Sequence, residues 1–446
     1  MTHIEDPLAA FVEASCVPLD RAHVSGTLER AEAILAPHPE VALSNIHAAA
    51  ILGDDAAVRR FLALDPGNAT AKGGPRGWDA LTHLCFSRYL RLDRARSEGF
   101  VLAARALLDA GANPNTGFYS FDQQPPVFES SLYGASGIAH HAELARLLLE
   151  RGADPNDDET VYHTPESYDN AAPKVLVGTG KLNDDSLATL LLRKADWHDY
   201  EGIKWLLEQN VDPNRMTRWG RTALHQAIKR DNELRIIELL LEHGADPALL
   251  ANGQSAMALA AQDGRADVLG LLERRGIPIE LNGVNRLLAA CAKNDPASVR
   301  SIAEREPWLI REVITKAGKL LTEFAGIGNT DGVRHLLDLG ADVNSLDEEG
   351  DVYWDLAPNS TALHVAAWRA RHSTVKFLIE RGAPVDVQDG KGRTPLALAV
   401  RACVDSYWAN HRSPESVQAL LRAGASPGRV AFPSGYAEVD ELLRPH

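Results

Sequence analysis

Apolar residues fall in short bursts along the chain, each at helical spacing and each closed by Gly, Asn, Asp or Pro. Residues 218–250, RWGRTALHQAIKRDNELRIIELLLEHGADPALL, show the pattern most plainly. Thr222 is placed to cap a helix, its hydroxyl accepting an N–H of the first turn. Ala223, Leu224, Ala227 and Ile228 then give that helix an apolar face. Asp231-Asn232 turns the chain, since Asn tolerates left-handed backbone. Ile236, Ile237, Leu240 and Leu241, with Leu239 between them, predict a second helix whose apolar stripe is too wide to be covered from one side. Gly244 is a left-handed C-cap and Asp246-Pro247 a rigid turn. A helix pair this small cannot bury its own stripe, so copies of it must stack.

Copies are present. Thr361-Ala362-Leu363-His364 and Thr394-Pro395-Leu396 repeat the helix start, and Gly111, Gly152, Gly244 and Gly340 repeat the closing turn. Gly244 and Gly276 are 32 residues apart, and Gly276 to Gly340 is 64, two further units of the same length. In these residues the chain resembles the ankyrin-repeat family, and its Arg- and Ala-rich composition suggests a bacterial member. The resemblance implies an all-α fold, an α-solenoid of stacked helix-turn-helix repeats with short finger turns and several loop insertions. It also implies a non-catalytic scaffold that binds a partner protein or peptide on a concave surface edged by fingers and hairpin turns. The alternative is an enzyme, or a protein with a small-ligand or metal pocket built by the insertions.

The organisation follows from where the pattern holds and where it breaks. Residues 1–40 read as a degenerate capping unit, with Asp6-Pro7-Leu8 as its helix start and a second helix over 27–36. An array of about ten units spans 41–431. Unit seven, 284–315, is poor in consensus residues and has Glu306-Pro307-Trp308 where the closing turn belongs. Insertions are expected at 116–128, 157–185, 347–359 and 404–414, and a capping helix at 432–446.

Composition adds limits. Formal net charge is −15, and no cluster of basic residues suits non-specific nucleic-acid binding; a basic protein partner is allowed. Cys16, Cys85, Cys291 and Cys403 are far apart, without a CxxC, and read as small buried side chains in a reducing compartment. No uncharged stretch of 18 residues predicts a membrane span, and the N-terminus lacks a secretory signal, so a cytoplasmic location is expected.

Candidate chemistry is sparse, and no cofactor is expected. His47, His225 and His364 stand at the fourth position of helix starts, where an imidazole bonds local backbone. His140 and His198 share the hairpin-turn position held elsewhere by Gly99, Gly264 and Gly328, and read as facing turns of adjacent units. With His141, Asp196 and Asp199 nearby, a zinc site is conceivable if the two turns converge. Gly178-Thr-Gly-Lys181 lacks the residues of a phosphate loop. The best functional hint lies in aromatics outside the helices: Phe118, Tyr119 and Phe121 in one insertion, Tyr353 and Trp354 in another, Tyr407 and Trp408 in a swollen turn. Such residues are typical partner-binding anchors, unless each insertion folds back and buries them.

Overall fold

The computed structural model describes residues 6–17, 26–121, 124–405 and 411–444. The chain divides into two compact units, residues 1–226 and 227–446, the division falling inside helix Ala223–Lys229. Each is built from antiparallel helix pairs, with the first helices of the pairs in one layer and the second helices in another.

The pairs are set by their caps. Asn45, Asp79, Ser130, Asp157, Asn183, Ser255, Thr361 and Thr394 each accept the backbone N–H three residues on, at 2.7 to 3.4 Å. Each such bond satisfies an N–H that the helix cannot pair internally. The hairpin turn then needs a left-handed residue. Gly53, His140, His198, Asp231, Gly264, Asn294, Gly328 and Ala370 all take positive φ there. Gly99 does not: it lies within helix Ser97–Asp109, where a Cβ would come 2.4 Å from the Gly53 carbonyl, so close helix approach is what requires glycine. His47 is also displaced from its expected place. Asn45, not Ser44, caps helix Ile46–Ile51, so His47 stands one residue too early to serve as the repeat histidine.

In the first unit, helices Pro7–Ser15 and Glu29–Leu35 pack together, and the first lies on helix Ile46–Ile51. Asp6 caps and Pro7 opens the first of them, as the sequence predicts. The expected insertion at 116–128 is a β-hairpin, Gly117–Ser120 paired antiparallel with Val127–Ser130. The expected insertion at 157–185 is not a loop. Helix Asp158–His163 lies between the helical turns of 131–138 and helix Asp184–Asp196, and helix Ala171–Gly178 packs on helix Ala142–Glu150. This stretch is a shortened helix pair in its own right. It therefore separates His140 from His198, which are not in adjacent pairs.

In the second unit the regular stacking breaks at 284–315. Helix Trp308–Thr315 is added after the pair Val284–Ala292 and Pro296–Arg305. Helix Val284–Ala292 packs on Ala256–Gln262 but also on Thr330–Asp338, a second-layer helix. Helix Ala317–Ile327 instead packs on Ala362–Trp368 and reaches back to Ala256–Gln262. The Phe324 ring fills the gap, so close to Gly264 that a Cβ there would lie 2.7 Å away. The first-layer row closes up as a result, and residues four pairs apart in sequence come into contact. The C-terminal segment carries helix Ala437–Leu443, within the range expected for a cap.

Candidate interaction surface

The second unit's closed row is filled by charge. Asp231 Oδ2 accepts from Arg369 at 2.8 Å and from Arg371 at 2.7 Å, across 138 and 140 residues of sequence. Arg265 adds an ion pair to Asp231 at 3.4 Å and donates to the Asn232 carbonyl at 2.8 Å. Lys229 bonds Glu323 at 2.7 Å, 94 residues on, and pairs with Asp263 at 3.5 Å. Arg369 and Arg265 are only 7% and 2% exposed by side chain, so these charges are held by one another rather than by water. Burial raises Asp263, reinforced by Glu323; for Glu323 burial pulls the same way but Lys229 and Lys319 outweigh it and lower its pKa.

The finger 347–359 belongs to this packing. Trp354 is 8% exposed, its ring 4.0 Å from the Arg369 guanidinium, and its carbonyl accepts the Trp368 indole N–H at 2.6 Å. Arg230 lies 3.5 Å over the Tyr353 ring. Asp355 accepts from Lys391 at 2.6 Å, from Arg393 at 3.2 Å and from Arg401. Burial would raise the Asp355 pKa, but these cations hold it down to about 2. The finger is thus a brace between helix pairs, and Trp354 packs the chain.

The first unit differs. In the β-hairpin, side chains alternate across the strand. Phe118 turns inward and stacks on Trp78 at 4.2 Å between centroids. Tyr119 faces out, 60% exposed, and meets Phe128 of the facing strand edge-on at 5.2 Å. Phe121 beyond the strand is 72% exposed. Trp219, in the loop before helix Ala223–Lys229, is also exposed, with Arg218 over its ring and Tyr162 beside it at 5.4 Å. Tyr407 and Trp408 lie outside the described residues.

Of the side chains considered for zinc, His141, Asp196 and Asp199 are occupied elsewhere, and His140 and His198 stand in pairs that are not adjacent. His141 Nδ1 accepts the Leu144 N–H at 3.2 Å, and its Nε2 bonds Ser97 at 2.6 Å. Asp199 caps Gly202 and pairs with Lys194 at 2.8 Å; Asp196 accepts from Arg193 and from Gln226. Among the described residues no group of three or more His, Cys, Asp or Glu side chains is placed to hold a metal ion. Burial raises all four thiols, Cys403 to about 11 and Cys16 and Cys291 to about 12. His364 does act as a repeat histidine, its Nδ1 on the Thr361 N–H at 3.1 Å.

Besides the Asp231 network, sequence reading missed an ionic cluster in the first unit. His163 is held between Glu159 at 3.2 Å and Glu166 at 3.1 Å, and Arg193 joins Glu166 and stacks 3.9 Å over Tyr162. Burial alone would lower the His163 pKa, but the two carboxylates raise it to about 9. Its signal was the i,i+4 spacing of Glu159 and His163 on a helix that the sequence did not declare.

The model of the family "Ankyrin repeats (3 copies)" matches residues 191–283 and 321–430. Both stretches of the chain are ankyrin repeats. Human transient receptor potential cation channel subfamily A member 1 is 24% identical over 310 residues, 62% of this chain and 26% of that protein. The ankyrin repeat protein nuc-2 of Neurospora crassa is 24% identical over 296 residues, covering 63% and 23%. Cyclin-dependent kinase 4 inhibitor B of Bos taurus is 41% identical over 78 residues, 17% of this chain and 58% of the inhibitor. The ankyrin-repeat chain therefore spans about a quarter of the first two relatives. The crystal structure of the human ASB11 ankyrin repeat domain aligns with 60% of the chain and 99% of the domain, at 22% identity and a TM-score of 0.26. Ankyrin repeats are in general protein–protein interaction modules. No helix among the described residues is long and apolar enough to cross a membrane.

Proposed function

We propose that this ankyrin-repeat protein is a non-catalytic scaffold that captures a cationic segment of a partner protein at the finger side of its first unit. The observation that carries the reading is the outward aromatic face of the β-hairpin, Tyr119 against Phe128 with Phe121 beyond. Exposed apolar rings of this kind stay solvated at a cost unless a partner covers them. Charge supports the choice of partner: residues 122–212 carry 17 Asp and Glu against 7 Lys and Arg. Aromatic faces bind guanidinium and ammonium groups, and an acidic surround steers them in. In the second unit, by contrast, Trp354 and the first-layer charges are already engaged with one another.

The test is selection from a random peptide display library on the immobilised protein. Lys/Arg-rich sequences should be enriched, and Tyr119→Ala with Phe121→Ala should weaken their binding at least about tenfold while leaving the melting temperature within a degree or two. Enrichment of acidic peptides, or binding unchanged in the double variant, would refute the reading.

A further inference from the structure

One arginine of the first unit meets no counter-charge among the described residues. Arg88 opens helix Arg88–Leu92 and is 6% exposed. Among the described residues it pairs with no carboxylate. Its hydrogen bond to them is long, Nη1 to the Ala14 carbonyl at 3.5 Å, and its buried Nε–H has no partner among them. Gly26 lies flat against the guanidinium, and a Cβ there would fall 2.6 Å from Nη1. The buried arginines of the second unit differ in having a carboxylate: Arg369 and Arg265 each pair with Asp231. The surroundings make matters worse. Segment 88–96, RYLRLDRAR, carries four arginines and one Asp, and that Asp pairs with Arg96 at 2.9 Å. Arg76, Arg91 and Arg30 are the cations around Arg88, and the nearby carboxylate of Glu13 is taken by Arg76 at 3.1 Å. In a chain of net charge −15, this is a local excess of positive charge around a desolvated guanidinium.

A buried charge without a partner is strongly unfavourable. The Nε–H without a partner lies on the edge with which a guanidinium grips planar or tetrahedral oxyanions through two parallel bonds. We propose that this edge of Arg88 binds one small tetrahedral oxyanion of the phosphate class, with the neighbouring arginines supplying its field. Inorganic phosphate and a phosphomonoester share this chemistry.

The experiment uses the full chain and titrates inorganic phosphate, O-phosphoserine and, at matched ionic strength, chloride. Isothermal calorimetry should show one phosphate site in the wild type, weakened at least about tenfold in Arg88→Gln and unchanged in the exposed control Arg105→Gln. Phosphate should raise the melting temperature and chloride should not, because only a ligand bound to the folded state stabilises by mass action. In phosphate-free buffer Arg88→Met should melt at or above the wild type, since it removes an uncompensated charge while keeping the length of the side chain. Binding of O-phosphoserine as tight as phosphate assigns the site to a monoester; its exclusion assigns it to the free ion. An equal response to chloride, full phosphate binding in Arg88→Gln, or an Arg88→Met variant that melts well below the wild type in phosphate-free buffer would overturn the proposal.

Discussion

The most incisive perturbation is Asp231→Asn. Asn keeps the size of the side chain and tolerates the left-handed backbone at this turn, where φ is +52°. What it removes is the negative charge shared by Arg369, Arg371 and Arg265 at 2.8, 2.7 and 3.4 Å. Removing one partner of a buried ion pair typically costs about 3–5 kcal/mol, because the other charge stays buried. Asp231 is itself 19% exposed, and Asn still accepts one hydrogen bond, so the cost falls at or just below the bottom of that range, about 2–3 kcal/mol. The exposed pair Asp55–Arg59, with side chains 33% and 52% exposed, sets the baseline: Asp55→Asn should cost no more than about 0–1 kcal/mol. Urea unfolding followed by circular dichroism, with the transition of the second unit fitted separately, measures both. A double-mutant cycle with Arg369→Met supplies the decisive quantity. Arg369→Met in the Asp231→Asn background removes a charge that has already lost its main partner. The double variant should therefore be more stable than the sum of singles by about 1–3 kcal/mol. Additive effects, or a cost for Asp231→Asn no larger than for Asp55→Asn, would show that the arginines do not depend on Asp231.

Other expectations follow from the same contacts. The folded His163 pKa of about 9 lies above the ordinary 6.5, so its stabilisation is complete below pH 6.5 and is lost as pH rises through 9. The stability gap between wild type and His163→Gln should accordingly be widest near pH 6 and narrow by pH 9.5; a gap constant across that range in chemical denaturation would exclude the assignment. Trp354→Ala should lower stability by about 3–5 kcal/mol, the range for a buried Trp, whereas Phe121→Ala should change it by less than about 0.5 kcal/mol. Similar thermal shifts for the two would show that the finger and the hairpin do not differ in the way their burial indicates.

Much of the fold was legible because it is local. Thr361, Thr394 and Asp79 announce helix starts, and Gly244 and Gly340 announce ends, within a few residues of the bonds they make. The pair at 157–185 was hidden by its chemistry. Asp157-Asp158-Glu159 looks like solvated charge, yet Asp157 is a cap and the next two residues are the acidic first turn favoured by the helix dipole. Its second helix contains Pro173, which is tolerated only because it lies in the first turn, and no Gly-Ala-Asp turn closes it. The candidate interaction surface was half legible. Aromatics in an insertion were visible, but which of them face water depends on strand alternation: Phe118 goes in and Tyr119 goes out. The charge network was beyond reach, because Asp231 and Arg369 are each ordinary turn residues and only the shifted packing of helix Ala317–Ile327 brings them together.

That packing bears on how the protein can change length. In an array where each pair touches only its neighbours, a pair can be duplicated or lost and the rest still stacks. The second unit lacks that freedom between residues 231 and 369. An extra pair inserted there would carry Arg369 and Arg371 away from Asp231 and, if it fell before residue 323, Glu323 away from Lys229, breaking several largely buried ion pairs at once. Repeat number in this part of the chain is therefore fixed by electrostatics, and variation in length among close relatives should fall outside it.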